Sequence, residues 1–526
     1  MSQAHQTFIE DIEAEIKPLH LARTHAIWEA ATKGTPEANE RAKEAEAAYL
    51  RFWSDPERFT AAKAFYDEKG IKDLAEARQI QLIYLNAAEA QQDEETIDLT
   101  TQLEKEIQQA YTNFRAQIDN ETLSNNELAN ILAKSDDSEM VEKVWKAYKQ
   151  IGLEVAETIR ELAKIRNQVA QKQGYRDFFQ KSLMLNEINE NQLLDLFSEL
   201  DNVTSKPYKE LKQEIDQIRA KKFGISEDEL RPWHFGDPFF QTPPEIYDLD
   251  MDKYFAEKNP IELATTTYDG IGIDVHDILE RSDLYSREGK DQHAFSLDLD
   301  REGDIRTLNN LEPNLRWNTT LLHELGHAIY NKYINPDLPW LLRMPSHSLT
   351  TEAVAILMGS LTNDQQWLSQ ILGVPEGEAD QIARIAAARE RAGNLIFTRW
   401  CLVMTNFERS FYANPDQDLN SLWWDLVKRF QFLQRPQGHT TPDWASKYHI
   451  ALFPVYYQNY ELGHLVTSQF RNAIQQNVGG IVGKKQAGEW LVEHVLSQGA
   501  IEDWASHIIS ATGEPLNTRY FVETVM

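Results

Sequence analysis

The stretch TTLLHELGHAIYNKY, residues 319 to 333, sets His323 and His327 four positions apart, with Glu324 directly after the first histidine. On a helix the two imidazoles stand one turn apart on one face. There they can share one tetrahedral zinc ion while the glutamate reaches toward a water molecule beside it. The helix follows from Leu321, Leu322, Leu325, Ile329 and Tyr333, which keep helical spacing until Asn335 and Pro336 stop it. Gly326 lies in its interior, where glycine costs about 1 kcal/mol relative to alanine, so another element is expected to approach closely there. Twenty-five residues past His327, Glu352 stands in SLTTEAVAILMG, where Ser and Thr residues suited to capping precede an apolar helical run. A carboxylate in the first turn of that second helix would complete a His₂Glu set. Three ligands with an open fourth position describe a catalytic zinc, one ion per chain, and not a structural one.

Zinc in such a site lowers the pKa of water toward ~7 and polarises a carbonyl oxygen. Glu324 would take the proton as water attacks and then deliver it to a leaving nitrogen. The oxyanion formed in such a reaction calls for further hydrogen-bond donors.

These residues need elements to hold them. A chain of 526 residues can bury a large core. The formal net charge of −30 argues against nucleic acid and anionic lipid as partners. One cysteine, Cys401, excludes an internal disulfide and fits a reducing compartment. The N-terminal stretch MSQAHQTFIEDIEAEIKP has acidic residues early and no apolar run, unlike a secretory signal. No stretch reaches the ~18 consecutive apolar residues of a membrane span. A soluble, cytoplasmic protein is expected.

Residues 1 to about 220 are rich in Ala, Glu, Lys, Gln and Leu, and stretches such as LARTHAIWEAA and VAETIRELAKIRNQVA read as amphipathic helices. The Pro- and aromatic-rich segment LRPWHFGDPFFQTPPEIYDL reads as irregular and packed. In QHAFSLDLDREGDIRTL, Ala294, Ser296 and Asp298 alternate with Phe295, Leu297 and Leu299, the period of a short strand, with a turn at Gly303. Helices resume from Leu315. Of the fourteen histidines none lies between His25 and His234, and nine lie from His234 to His464, which puts metal and proton chemistry in the second half. The expected fold is mainly α with a small β element beside the zinc. Residues 1–526 are expected to form a single unit, with 1–220 as lid or wall and 221–526 carrying the zinc and substrate-binding residues.

The oxyanion donors point to SKYHIALFPVYYQNYELG, residues 446 to 463. Here the sequence resembles the angiotensin-converting-enzyme family of peptidyl-dipeptidases, in which a Lys stands two residues before a His and a Tyr-x-x-Tyr pair follows a proline. Lys447, His449, Pro454, Tyr457 and Tyr460 reproduce this, with one residue of slippage before the proline. His293, Ala294 and Asp298 match the family's His-Ala-x-x-x-Asp strand thirty residues before the first zinc His. The likeness is motif-deep from His293 to Tyr460 and architectural in the N-terminal helices. It implies a two-lobed helical ellipsoid with a deep substrate channel, zinc at mid-depth and N-terminal lid helices. It also implies that His449 and Tyr460 stabilise the oxyanion, that His293 and the backbone of Ala294 hold an oligopeptide substrate as an added strand, and that Lys447 and Tyr457 grip its C-terminal carboxylate.

There are departures from the family. Ile356 stands where the family has an Asp supporting a zinc ligand. Asn459 and Val427 stand where it has chloride-binding arginines, so little chloride dependence is expected. Near Trp233, Phe235 replaces its carboxylate-binding Gln. His347, His439 and His464 read as structural or exposed. Two other peptidase classes share the His-Glu-x-Gly-His core, oligopeptidases of the thimet type and metal-dependent carboxypeptidases of the Taq type. An inactive peptide-binding scaffold is a further alternative, against which all three ligands and the base are intact. Oligomeric state has no signature in the sequence.

Overall fold

A computed structural model describes residues 3–68, 70–119, 121–246 and 250–526. Helices dominate, and among the described residues the only sheets are two antiparallel two-stranded hairpins. Among the described residues no helix is long and apolar enough to cross a membrane. Compactness divides the chain in a different way from chain order. One unit comprises Met1–Gln91, Leu249–Ala386 and Leu462–Tyr520; the other comprises Gln92–Asp248, Ala387–Glu461 and Phe521–Met526.

The first unit opens with helices Gln3–Lys33, Pro36–Trp53, Pro56–Asp67 and Leu74–Glu89. The last three start at a side-chain cap, from Thr35, Asp55 and Asp73, and the first two of these carry Pro at the opening position, where its missing N–H costs nothing. Ile9, Ile12 and Ile16, three and four apart, face Phe52, Trp53, Ile80 and Ile83 in one apolar cluster that also takes in Trp340 and Leu341.

The expected strand is Phe295–Asp298, paired antiparallel with Ile305–Leu308 so that Phe295 opposes Leu308 and Asp298 opposes Ile305. Gly303 makes the turn at φ +117°, as its position suggests. The alternation does not sort a wet face from a dry one: all four strand residues are half-buried. The physical reason is cover on both sides, from the first helix, where Trp28 meets Phe295 ring to ring at 6.1 Å, and from the helix that carries His323.

That helix, Leu315–Lys332, is capped by Asn314, whose side chain accepts from Trp317 N–H, and it ends just short of Asn335 and Pro336. Its partner is Ser348–Gly359. Here the sequence-based expectation needs correction. The cap is His347, whose Nδ1 accepts from Leu349 N–H at 3.0 Å, and Ser348, Thr350 and Thr351 lie inside the helix. Glu352 therefore sits one turn deeper than the first turn. The two helices touch at Gly326, where a Cβ would fall 2.7 Å from Cα of Ala355 and 3.1 Å from its nitrogen. This is the close approach that an interior glycine implied.

In the second unit, helix Ile151–Lys172 buries Val155, Ile159, Leu162, Ala163, Val169 and Ala170, the helical stripe read from the sequence. The small hairpin Ala116–Ile118 with Glu121–Leu123 was not foreseen, because three-residue strands leave no period to read. The Pro- and aromatic-rich segment is irregular and buried as expected, with Pro232, Trp233, His234, Phe235, Phe239 and Phe240 all inside; its last three residues, Tyr247 to Leu249, lie outside the described residues.

Gly326→Ala should destabilise the protein by about 1–3 kcal/mol, since the added methyl meets backbone that cannot yield without moving a helix. Gly393, mid-helix with nothing within 4 Å of a built Cβ, is the control, where alanine should stabilise by about 0.5–1 kcal/mol. Thermal denaturation of the two variants checks both signs.

Candidate active site

His323 and His327 from one helix meet Glu352 from the other within the first unit. His323 Nε2 lies 3.6 Å from Glu352 Oε1, and His327 Nε2 lies 3.4 Å from Oε2. Ligands about 2.0–2.1 Å from a tetrahedral zinc would stand roughly 3.3–3.4 Å apart, so each histidine nitrogen stands near one such edge length from the carboxylate of Glu352. Among the described residues this is the one group of three His, Cys, Asp or Glu side chains so gathered. The three keep 20 to 33% of their side-chain surface exposed, which leaves one side of the set open.

Their electrostatics suit a cation. Burial lowers the pKa of His323 and favours the neutral imidazole that can donate a lone pair, against the opposing charge of Glu352. Burial pushes Glu352 up, but its hydrogen bond with His327 and the two histidines' charges outweigh that and hold it below the usual range, so it is ionised. Glu324 is 7% exposed, and burial lifts its carboxyl to about 7, with His327 opposing the shift and Glu352 adding to it. A carboxyl poised there can both accept and return a proton near neutral pH.

The missing support for a ligand is found in Thr351. Its Oγ1 lies 2.8 Å from Nδ1 of His327, the ring nitrogen that faces away from Glu352. Ile356, the position compared with the family's Asp, is apolar and makes no such bond. The signal in the sequence was a hydroxyl directly before Glu352, which pattern matching at a fixed later offset passes over. Behind the helix pair, Tyr268 donates to the carbonyl of Leu322 at 2.7 Å, and Ser346 bridges Thr350 and His507 at 3.2 and 3.0 Å. His464 is close enough for Glu352's charge to act on it, although burial lowers its pKa more.

His293 is exposed in the turn before the strand, its N–H held by Asp291 at 2.9 Å, and Ala294 leads into Phe295–Asp298. Among the described residues that strand pairs on one side only.

Lys447, His449, Tyr457 and Tyr460 form a cluster in the second unit. The rings of His449 and Tyr457 are 5.0 Å apart, and those of Tyr457 and Tyr460 are 5.5 Å apart. Lys447 is buried, stands over Phe239, Trp400 and Tyr457 at 5.2 to 5.6 Å, and donates to Gln241 Oε1 at 2.9 Å. Burial lowers its pKa to about 8, with Asp237 opposing. Gln241 was missed because it lies beyond Phe235 in a segment without periodicity. Burial and then the charge of Lys447 bring His449 down to about 4, so its ring is neutral. Its Nδ1 is buried without a hydrogen bond among the described residues. His439 is structural, bonded to buried Asp443 at 2.8 Å. Val427 lines a cavity of about 20 Å³ that also presents Lys149 and Asp443, so a lysine and a carboxylate, and no arginine, face that position.

Comparison with known families falls in line with this geometry. The sequence model of peptidase family M3 matches residues 131–526, three quarters of the chain, and the chain belongs to that family. The model for angiotensin-converting enzyme matches residues 1–220. The likeness to angiotensin-converting enzyme is thus carried by the N-terminal helices, where only architecture was expected to be shared, while the site-bearing part matches family M3. No curated protein matches the chain. The protein is a metallopeptidase.

Thr351→Val removes the hydroxyl while keeping the shape of the side chain. Metal affinity, measured by competition with a chelator, should weaken by about 10–100-fold, with helix content unchanged by circular dichroism.

Proposed function

We propose that this M3-family metallopeptidase is a zinc-dependent enzyme that hydrolyses oligopeptides and releases C-terminal dipeptides. The observation that carries it is the gathering of His323, His327 and Glu352 within ligand reach of one another, with the buried carboxyl of Glu324 on the same helix as the two histidines. When bound by these three residues, zinc supplies Lewis acidity toward the scissile carbonyl and acidifies water. Glu324 accepts the proton of the attacking water and hands it to the leaving amine. Neutral His449 and the phenol of Tyr460 donate to the developing oxyanion. The unpaired edge of Phe295–Asp298, with His293 and Ala294 at its start, takes the peptide backbone as a further strand. A carboxylate leaving water needs a fixed cation and donors, and Lys447 with Gln241 and Tyr457 supplies them. A buried Cys401 and the absence of other cysteines fit a cytoplasmic enzyme.

A second reading is an oligopeptidase of the thimet type that cuts internally. It is favoured by the M3 match over the site-bearing residues. Digestion of a defined nonapeptide with products identified by mass separates the two: sequential loss of C-terminal dipeptides supports the first, and one internal cut supports the second.

Glu324→Gln should keep metal and fold and lose about 10²–10⁴ in turnover, whereas His323→Ala and Glu352→Ala should lose the metal. Metal analysis beside kcat on a fluorogenic peptide checks both parts. If both ligand variants retain a full equivalent of metal, the assignment is wrong.

Lys447→Ala should raise KM for a free-acid peptide by about tenfold or more, the worth of a charged hydrogen bond. It should leave KM for the C-terminal amide little changed. Wild-type enzyme that cuts acid and amide equally well would favour the internal cut.

A further inference from the structure

His449 and Tyr460 are joined by an irregular stretch whose shape is set by side chains. After the short helix His449–Leu452 the chain passes through Phe453 and Pro454 to Val455, and the next helix starts at Tyr457. Val455 has φ +54°, in the left-handed region. A β-branched side chain crowds its own backbone there, so such a conformation persists only where the surroundings impose it. Three side chains do so. Glu408, from helix Glu376–Ala413, accepts the N–H of Val455 at 2.7 Å; Gln458 donates to its carbonyl; Arg166 donates to the carbonyl of Ala451 at 2.7 Å. Glu408 is 1% exposed, and its bond to Val455 is the one hydrogen bond it makes in the fold as described. Burying a carboxyl is costly unless its bond serves the fold. Burial lifts this one to about 8, so at neutral pH it is chiefly the uncharged acid.

We propose that Glu408 is a positioning residue for peptide hydrolysis: by holding the N–H of Val455 it keeps Val455 left-handed, and so fixes where His449 and Tyr460 stand. Val455 is the pivot of this stretch. Rotation to an ordinary φ would swing the first turn of the Tyr457 helix relative to His449 and separate the three rings now 5.0 and 5.5 Å apart. This rests on the assignment of His449 and Tyr460 to the oxyanion.

Kinetics of the full-length protein on a fluorogenic oligopeptide, with thermal midpoints and metal content alongside, test it. Glu408→Leu, which removes the acceptor, should lower kcat at least about tenfold with KM within about twofold, since a displacement of 1 Å can cost about 10²-fold. Glu408→Gln, whose amide oxygen can accept the same N–H, should restore kcat to within about threefold. In a Val455→Gly background, where the left-handed conformation is unstrained, adding Glu408→Leu should cost less than about threefold. A merely structural carboxyl would instead lower kcat and the thermal midpoint alike in both backgrounds. Wild-type kcat in Glu408→Leu, with Tyr460→Phe impaired, overturns the positioning role alone. If Tyr460→Phe and His449→Ala both turn over normally, the oxyanion assignment has failed instead. Should Glu408→Leu not fold, the Val455→Gly pair decides: a loss there of tenfold or more overturns the proposal.

Discussion

A histidine pair on one helix and a glutamate on another can meet around an ion only if the two helix axes come close enough for three short reaches to converge. Gly326 sets that distance. With no side chain at the crossing, the backbone of the Leu315–Lys332 helix lies against Ala355, and any Cβ would push the two apart. Because His323 and His327 share one rigid helix, and Thr351 and Glu352 share the other, the donor separations and the bond that orients His327 depend mainly on how those two bodies are placed. The bond from Tyr268 to the carbonyl of Leu322 and the polar bridge through Ser346, Thr350 and His507 hold the pair from behind. The energetic penalty of glycine in a helix, about 1 kcal/mol, is small against the geometry it permits.

Residues with a strict local period were legible from the sequence. The His323 and His327 pair, the apolar positions around it and the stripe in Ile151–Lys172 all follow from 3.6-residue periodicity, and the structure places them as that period demands. Glu352 was found by its distance from the pair, although its depth in the helix was misjudged because a histidine took the capping role usual for Ser or Thr. Thr351, Gln241 and Glu408 were not legible. Each acts through a contact whose partner is remote in sequence or sits on another element, and nothing periodic marks such a contact. The strand was seen, but not its half-burial, because alternation reports one packed face and this strand has cover on two.

The two clusters also differ in how they are stabilised. The His₂Glu group is a meeting of regular helices, whose backbone bonds are satisfied internally. The group around His449 relies on an irregular chain, so its backbone polar atoms must find side chains: Glu408, Gln458 and Arg166 serve Val455 and Ala451. Helix packing tolerates many apolar sequences. A left-handed valine tolerates few arrangements of polar groups.

Lys447 shows what such burial means for binding. Its ammonium rests over aromatic rings and near Gln241, with no carboxylate bonded to it among the described residues, and burial brings its pKa to about 8. Any anion that docks on it stabilises the charged form and raises that pKa. Above pH 8, where the free amine predominates, docking must therefore draw a proton from the buffer. Association of such an anion would then carry a heat that depends on the buffer's own ionisation enthalpy, and its affinity would fall as pH rises, with the proton as a co-ligand.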